Sequence, residues 1–448
     1  MSDRLQMLTE RLLNAAGKAG AEAADALAVD GTSLSIDVRN GALEQAERSE
    51  GIDIGLRVLI GRRQACVSAS DISDATIEQM AERAVAMARE APEDPNAGLA
   101  DPDQLATHWD LAALELDDPA PEPDPATLED LARRTEAAAR AVEGISQSDG
   151  ASAGFSRRAI HLAATNGFSG GYRRSSSGIG CTAITGEGTG MERDGNYEMR
   201  LHAADLPDAE SIGRIAGERA SARKGAKKPP TGAYPVLYDE RISSGLIGHL
   251  LGAINGASVA RGASWLMNAM GEPVLPDALS LTENPLRPRA SGSRPFDAEG
   301  LPTVKRDIVA NGVLSGWILD LSTARKLGLA PTGNASRGTG HPPSPSAHNV
   351  TLTPGTRTRE DLLREMGTGL LVTSLIGSSI NPTTGDYSRG ASGFWVENGE
   401  ITYPVNECTL AGNLRDMLRR ITPANDARPH TSHRVPSLLV EGLTLAGA

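Results

Sequence analysis

Histidines, arginines and glycines carry whatever chemistry this sequence holds, and their spacing limits it. Eight His are scattered along 448 residues. His430-Thr431-Ser432-His433 is the one close pair, and two imidazoles three residues apart can share a metal. Four-coordinate zinc needs three or four protein ligands. No Cys lies near that pair, and no His is followed by Glu. His430 and His433 therefore read as loop histidines with a weak claim on a metal. His249 follows Gly248 in a Gly-rich helical stretch and reads as a packed or hydrogen-bonded residue before it reads as a ligand. His341 and His348 flank Pro342-Pro343-Ser344-Pro345 and read as part of a solvated loop.

Nucleophile and phosphate motifs are weak. Gly167-Phe168-Ser169-Gly170-Gly171 matches G-x-S-x-G, but a hydrolase elbow places its Ser between a strand and a helix. Here strand-like sequence lies on both sides, and Asn166-Gly167 already supplies a hairpin turn. Gly186-Glu187-Gly188-Thr189-Gly190 precedes no helix start, which a phosphate cradle requires. No Walker A motif and no Rossmann fingerprint occurs.

The C-terminal half is richer. Arg287-Pro288-Arg289, Ser293-Arg294-Pro295-Phe296-Asp297, Pro331-Thr332-Gly333-Asn334 and Gly385-Asp386-Tyr387-Ser388-Arg389-Gly390 combine fixed turns with guanidinium groups. Such loops present backbone N–H groups and forked donors to carboxylates or peptide carbonyls. Asn334, Gly385 and Arg389 are the candidate peptide contacts. In the competing reading the arginines pair internally with Asp297 or Asp386 and hold loop geometry. Gly245, Gly248, Gly252 and Gly256 recur every four residues in a helical stretch, along one slowly drifting stripe. Each costs up to ~1 kcal/mol relative to Ala in a helix. The stripe predicts close approach of a backbone or ligand, and Gly252 joins the candidate peptide contacts.

These residues need elements to position them. Leu5, Leu8, Leu12 and Ala15 predict an amphipathic helix near the N-terminus, with acidic interruptions that leave no signal-peptide core. Period-two alternation begins at Ser33-Leu34-Ser35-Ile36, and Asn40-Gly41 predicts a type I′ hairpin. Strands over 51–70, a helix over Asp74–Glu90, an extended acidic Pro-rich connector over 116–125 and a helix over 127–142 follow. Strands over 154–162 and 171–184 come next. Lys224, Lys227, Lys228, Pro229, Pro230 and Gly232 form a breaker-rich linker, so the domains are expected at 1–225 and 226–448. Beyond it the pattern predicts a strand at 234–237, a helix over 242–259, and hairpins at Asn311-Gly312 and Asn398-Gly399. Helices are expected over 321–327 and 360–371, and a closing strand near 437–440. The fold class is α+β: an N-terminal α/β sandwich with a mostly antiparallel sheet, then a β-rich C-terminal domain.

Composition narrows the function. Lys plus Arg total 44 against 57 Asp plus Glu, a formal net charge of −13, which disfavours direct nucleic-acid binding. Three Cys cannot build a disulfide framework and suit a reducing compartment. No apolar run reaches the ~20 residues that span a bilayer. A cytoplasmic, bacterial protein is expected.

The stretches Leu246 to Arg261, Ser293-Arg294-Pro295-Phe296-Asp297-Ala298-Glu299-Gly300, Pro331-Thr332-Gly333-Asn334, Thr384 to Gly390 and Phe394 to Asn413 together resemble the TldD/PmbA family. That family is described as candidate modulators of DNA gyrase and as metallopeptidases acting on unfolded peptides. The resemblance implies an N-terminal α/β domain, a C-terminal domain around a barrel-like sheet, and a dimer enclosing a peptide tunnel. In the TldD branch a helix carries His-Glu-x-x-x-His and a C-terminal Cys completes a zinc site, where zinc polarises water and Glu takes its proton. Anchored on Arg261-Gly262-Ala263-Ser264, this sequence has Ile247, Gly248 and Gly252 at those positions. Its counterpart of the Cys region, 428–435, has His430 and His433 but no Cys. That pattern is the PmbA (TldE) branch. It implies a subunit with no catalytic residues, no cofactor and no metal of its own. Its expected partners are a TldD-type catalytic subunit carrying zinc and an unfolded peptide, with a homodimer open when the chain is isolated. The alternatives are a stand-alone metallopeptidase with a metal site relocated to His249, His430 or His433, and a non-proteolytic gyrase modulator acting through protein contacts.

Overall fold

The computed structural model describes residues 2–447. In the N-terminal half six antiparallel strands form one sheet in the order 63–69, 42–60, 23–39, 145–164, 169–185, 192–200. Asn40 and Gly41 both adopt positive φ, 54° and 72°, the backbone a two-residue type I′ connection requires. Alternation then sorts the side chains. Ala24, Ala26, Ala28, Leu34, Ile36 and Val38 share one face of the sheet, and helices cover it. Ser2–Ala19 and Asp74–Glu90 bury Leu5, Leu8, Leu12, Ile77, Met80 and Ala84 against one end. Pro125–Arg140 and Ala209–Ser221 cover the other. These last two cross so closely that a Cβ on Gly213 would meet the Thr135 carbonyl oxygen at 1.9 Å.

The opposite face of the sheet receives the C-terminal half. Phe296 packs beside Leu27 and Leu162, its ring 4.9 Å from that of Phe168 and 5.0 Å from that of Trp109. Arg337 pairs with Asp25, which also accepts from Arg57 Nε at 2.7 Å. Burial opposes ionisation of Asp25, and the two guanidinium groups outweigh it and hold the carboxyl below its ordinary value.

Beyond the linker five strands close on themselves: 400–413, 386–397, 369–380, 232–238 and 438–446, with 409–411 meeting 444–446 to complete the ring. The pair 232–238 and 369–380 runs parallel, and the other neighbours run antiparallel. Tyr238, Leu246, Leu250 and Trp395 stand in its core. A second five-stranded sheet includes 281–283, 306–310 and 350–352. This is the α+β architecture that the patterning predicts, an antiparallel N-terminal sheet and a β-rich C-terminal half, and the barrel is the one the family resemblance implies.

Four local expectations need correction. The first strand begins at Ala23, ten residues before its alternation becomes visible, because Ala24 to Ala28 are buried throughout. The helix expected over 242–259 is two, Ser244–Ala253 and Gly256–Ala260. Asn255 breaks it by adopting an extended conformation and capping the second piece through Oδ1, 3.0 Å from Ala257 N. The helix expected to reach 371 stops at Met366, where Gly367 takes φ +65° and the chain turns into a strand at Gly369. The closing strand runs longer than expected, over Leu438–Ala446.

Candidate functional site

The helix Ser244–Ala253 starts from a tightly held corner. The Asp239 carbonyl accepts from the backbone N–H of Ile242 and Ser243, both at 2.9 Å. Its carboxylate takes Arg241 Nε at 3.0 Å and Arg359 Nη1 at 3.1 Å. Leu246, Ile247, Leu250 and Leu251 then turn into the core. What remains outside is Gly245, Gly248, His249 and Gly252. A Cβ at any of those three glycines would meet nothing within 4 Å. The expected close approach along the whole stripe is therefore absent within this chain. It occurs at Gly256 alone of the four, where a Cβ would lie 2.6 Å from Leu319 Cδ2 and 2.7 Å from Thr323 Oγ1. Gly252 stands exposed on an open helix face.

Beside that face lies a polar group of four. His249 packs edge-on against Tyr387, ring centroids 5.9 Å apart. Burial, and then the Arg389 charge, push its imidazole below the ordinary value, so it is neutral at pH 7. The Tyr387 and Tyr238 hydroxyls are 3.5 Å apart. Burial lifts both phenols above their ordinary range, so both are protonated. Arg389 brings the one fixed charge of the group. Its Nε is buried without a hydrogen-bond partner, and among the described residues its guanidinium has no carboxylate within ion-pairing distance. The internal pair with Asp386 does not form, because residues three apart in a strand point to opposite faces. Asp386 instead accepts from Thr384 Oγ1 at 2.6 Å and Asn413 Nδ2 at 3.1 Å.

The other candidates lie elsewhere. Asn334 is fully buried. Its Nδ2 donates to Glu283 Oε1 at 2.8 Å and to the Ser346 carbonyl at 3.1 Å, and its Oδ1 accepts from Thr332 and Arg306. It holds four segments together and presents nothing outward. Gly385 is also buried, at φ +81°, and a Cβ there would stand 3.3 Å from the Trp265 ring. Asp297 makes no direct ion pair with an arginine among the described residues, although the Arg294 charge acts on it; it accepts backbone N–H groups from Glu299, Leu301 and Ala335. His348, expected in a solvated loop, is 3% exposed. Ser169 opens a strand after the Asn166-Gly167 turn, so no nucleophile elbow exists. Tyr238 entered no sequence reading, since a Tyr ending a short apolar strand carries no functional signal.

The metal candidates are dispersed. His430 Nε2 is 3.3 Å from Glu198 on the N-terminal sheet. His433 lines a small cavity of about 230 Å³ with Glu240 and Arg428. Among the described residues no three His, Cys, Asp or Glu side chains stand close enough to hold a metal. The positions aligned with the zinc helix do not fit the ion either: Ile247 is wholly buried, and Gly248 and Gly252 carry no donor.

Residues 24–88, 118–224 and 231–447 match the models of PmbA/TldA metallopeptidase domain 1, central domain and C-terminal domain. The chain belongs to the PmbA/TldD family. It is 37% identical to the metalloprotease PmbA of Escherichia coli O157:H7, over 93% of this chain and 90% of that protein. A PmbA homolog of Haemophilus influenzae is 36% identical over 96% and 94%. Among solved structures, a protein of Bacteroides thetaiotaomicron provisionally described as a modulator of DNA gyrase superposes with a TM-score of 0.92 at 27% identity, covering 100% of this chain and 99% of that one. TldE of Thermococcus kodakarensis shares the fold, with a TM-score of 0.85 at 21% identity over 98% and 100%. No helix among the described residues is long and apolar enough to cross a membrane.

Proposed function

We propose that this chain is the non-catalytic subunit of a two-chain metallopeptidase of the TldD/TldE type, seating an unfolded peptide for a TldD-type subunit that carries the zinc. The observation behind this reading is the helix Ser244–Ala253. Where the resemblance aligns a zinc ligand, a base and a second ligand, this chain has a buried Ile247 and two glycines open to the outside. Such a face cannot ligate a metal, and it leaves room for a neighbouring backbone. An extended peptide is recognised through main-chain hydrogen bonds, with side-chain contacts setting preference. Arg389 supplies an uncompensated charge beside that room, suited to a peptide carbonyl or carboxylate. Gly252 and Arg389 are the peptide contacts in this account. Asn334 and Gly385 shape the scaffold.

The same reading treats 1–225 and 226–448 as two domains joined at the basic linker. It places the complex in the cytoplasm, consistent with three free cysteines, and without direct nucleic-acid contact. A relocated metal site is disfavoured because His249 is engaged with Tyr387 and His430 with Glu198. Elemental analysis tests the reading. The purified chain is expected to hold far less than one zinc, and the copurified pair about one. One tightly held zinc per isolated chain, lost in His249→Ala, would sink it.

A further inference from the structure

The N-terminal sheet carries an arginine cluster that the peptide-seating face does not use. The hairpin of strands 145–164 and 169–185 sets Arg158 directly across from Arg174. Like charges directly opposite on one face of a sheet destabilise it. On the other face the same hairpin resolves the conflict with a carboxylate: Arg157 and Arg173 both pair with Asp117, at 2.9 and 3.2 Å. Among the described residues Arg158 and Arg174 have no such partner, and the Arg174 side chain donates only to the Ser291 carbonyl.

A third guanidinium, Arg294, reaches the cluster from the C-terminal half, and its Nε is buried without a partner. Arg337 borders the same space, but it is turned to Asp25, a carboxylate it shares with Arg57. Asp297 also lines this space and feels the Arg294 charge, but it makes no ion pair there and its oxygens accept the three backbone N–H groups described above. Burial and then the charges of Arg294 and Arg158 lower the Arg174 pKa, which Tyr172 opposes between them, so the cluster is held against its own repulsion. These groups border a cavity of about 340 Å³ whose remaining wall includes Val29, Ile160, Tyr172 and Phe296.

We propose that this cavity binds a carboxylate carried on an apolar body, gripped by Arg174 and Arg294 with Arg158 at the exposed rim. Guanidinium forks match a carboxylate in two-point geometry, and an apolar wall with a few convergent polar groups is the usual make-up of a ligand pocket. The carboxylate comes either from the C-terminal end of a peptide or from a small free acid. The site stands apart from the Arg389 face and does not depend on the role proposed for it.

Titration calorimetry on the full chain tests it, with N-acetyl-phenylalanine and its uncharged amide as probes. The acid is expected to bind at least tenfold more tightly than the amide. Arg174→Gln and Arg294→Gln should each weaken the acid at least tenfold, whereas Arg173→Gln, on the opposite face, leaves it unchanged. Melting curves show whether the variants fold, and removing one like charge should leave the melting temperature at or above the parent's. An unstructured peptide ending in Phe separates the two sources. Binding that needs its free C-terminal carboxylate assigns the site to peptide ends, and no binding beside a bound small acid assigns it to free acids. Equal binding of acid and amide, no binding of the acid at millimolar concentration, or unchanged affinity in both folded variants would overturn the proposal.

Discussion

The imidazole of His249 meets the ring of Tyr387 edge to face, with centroids 5.9 Å apart. That contact ties the outward face of the helix Ser244–Ala253 to the barrel strand 386–397, and it fixes where the Arg389 charge sits relative to the open glycines. The histidine is a wall of the site. The arginine is its free charge.

Arg389→Ala should weaken peptide binding by the assembled pair while leaving the partner's metal in place. Because Arg389 makes no ion pair with Asp386, the stability of the isolated chain should change by no more than ordinary surface substitutions do, about ±0.5 kcal/mol, with the melting temperature nearly unmoved. Peptide affinity and melting temperature measured on one preparation decide the matter. A lowered melting temperature with unchanged affinity would restore a structural role.

Two glycines of the same stripe should respond in opposite ways. Gly252→Leu meets open space, so the isolated chain keeps its stability or gains up to ~1 kcal/mol from helix propensity. Assembly or peptide binding should fall. Gly256→Ala forces a Cβ against Leu319, Thr323 and the Ile318 carbonyl, and such overpacking costs roughly 1–3 kcal/mol. Urea titrations of the two variants check the contrast, and equal destabilisation would contradict it.

Arg337→Ala should strike the junction between the halves. The Asp25 and Arg337 side chains are 4% and 1% exposed, and breaking a buried pair by removing one partner costs about 3 kcal/mol or more. Arg57 remains on Asp25, which favours the lower end. Denaturant unfolding of parent and variant reads this directly, and a loss below the scatter of surface substitutions would show the pair to be dispensable.

His348 should make part of the stability pH-dependent. Its Nε2 faces the Gly333 carbonyl at 2.9 Å, and its Nδ1 is buried without a partner. Burial, and then the Arg294 charge, push its pKa down from 6.5 to about 4. The folded state thus binds fewer protons than the unfolded state between those values. The contribution is fully present above pH 6.5 and is lost as pH falls toward 4, reaching about 3 kcal/mol. Asp297, raised by burial to about 6, has the opposite sign: its contribution is lost as pH rises through that value. Comparing parent with His348→Gln, which keeps a donor for Gly333, isolates the histidine. The stability difference between pH 7.5 and 4.5 should shrink in the variant; an unchanged difference would count against the assignment.

Much of the fold was legible because it is written in local rules. Asn40-Gly41, Asn311-Gly312 and Asn398-Gly399 are hairpin turns since few other dipeptides tolerate two successive positive φ values. The helices Asp74–Glu90 and Leu321–Leu327 follow apolar spacing to the residue. Barrel closure was not legible, because 409–411 and 444–446 meet only after the intervening strands are in place. Asn334 misled for the same reason: its partner Glu283 lies 51 residues earlier, and a polar loop residue gives no sign that it will be buried. The Gly stripe showed that a face was special but not whether it was filled, since that depends on Leu319 and Thr323 reaching Gly256 and stopping there. Two further relationships are legible in the sequence. Period-two alternation already separates Asp386 from Arg389. A hairpin centred on Asn166 already sets Arg158 opposite Arg174.

Cleavage of an unstructured peptide by three samples tests the central claim most directly: this chain alone, a TldD-type chain from the same cell alone, and the two coexpressed and copurified. The account predicts a stable complex, cleavage by the pair, none by this chain, and a fall in peptide affinity when the pair carries Arg389→Ala. Cleavage by this chain alone, or full cleavage by the TldD-type chain without it, would contradict the account.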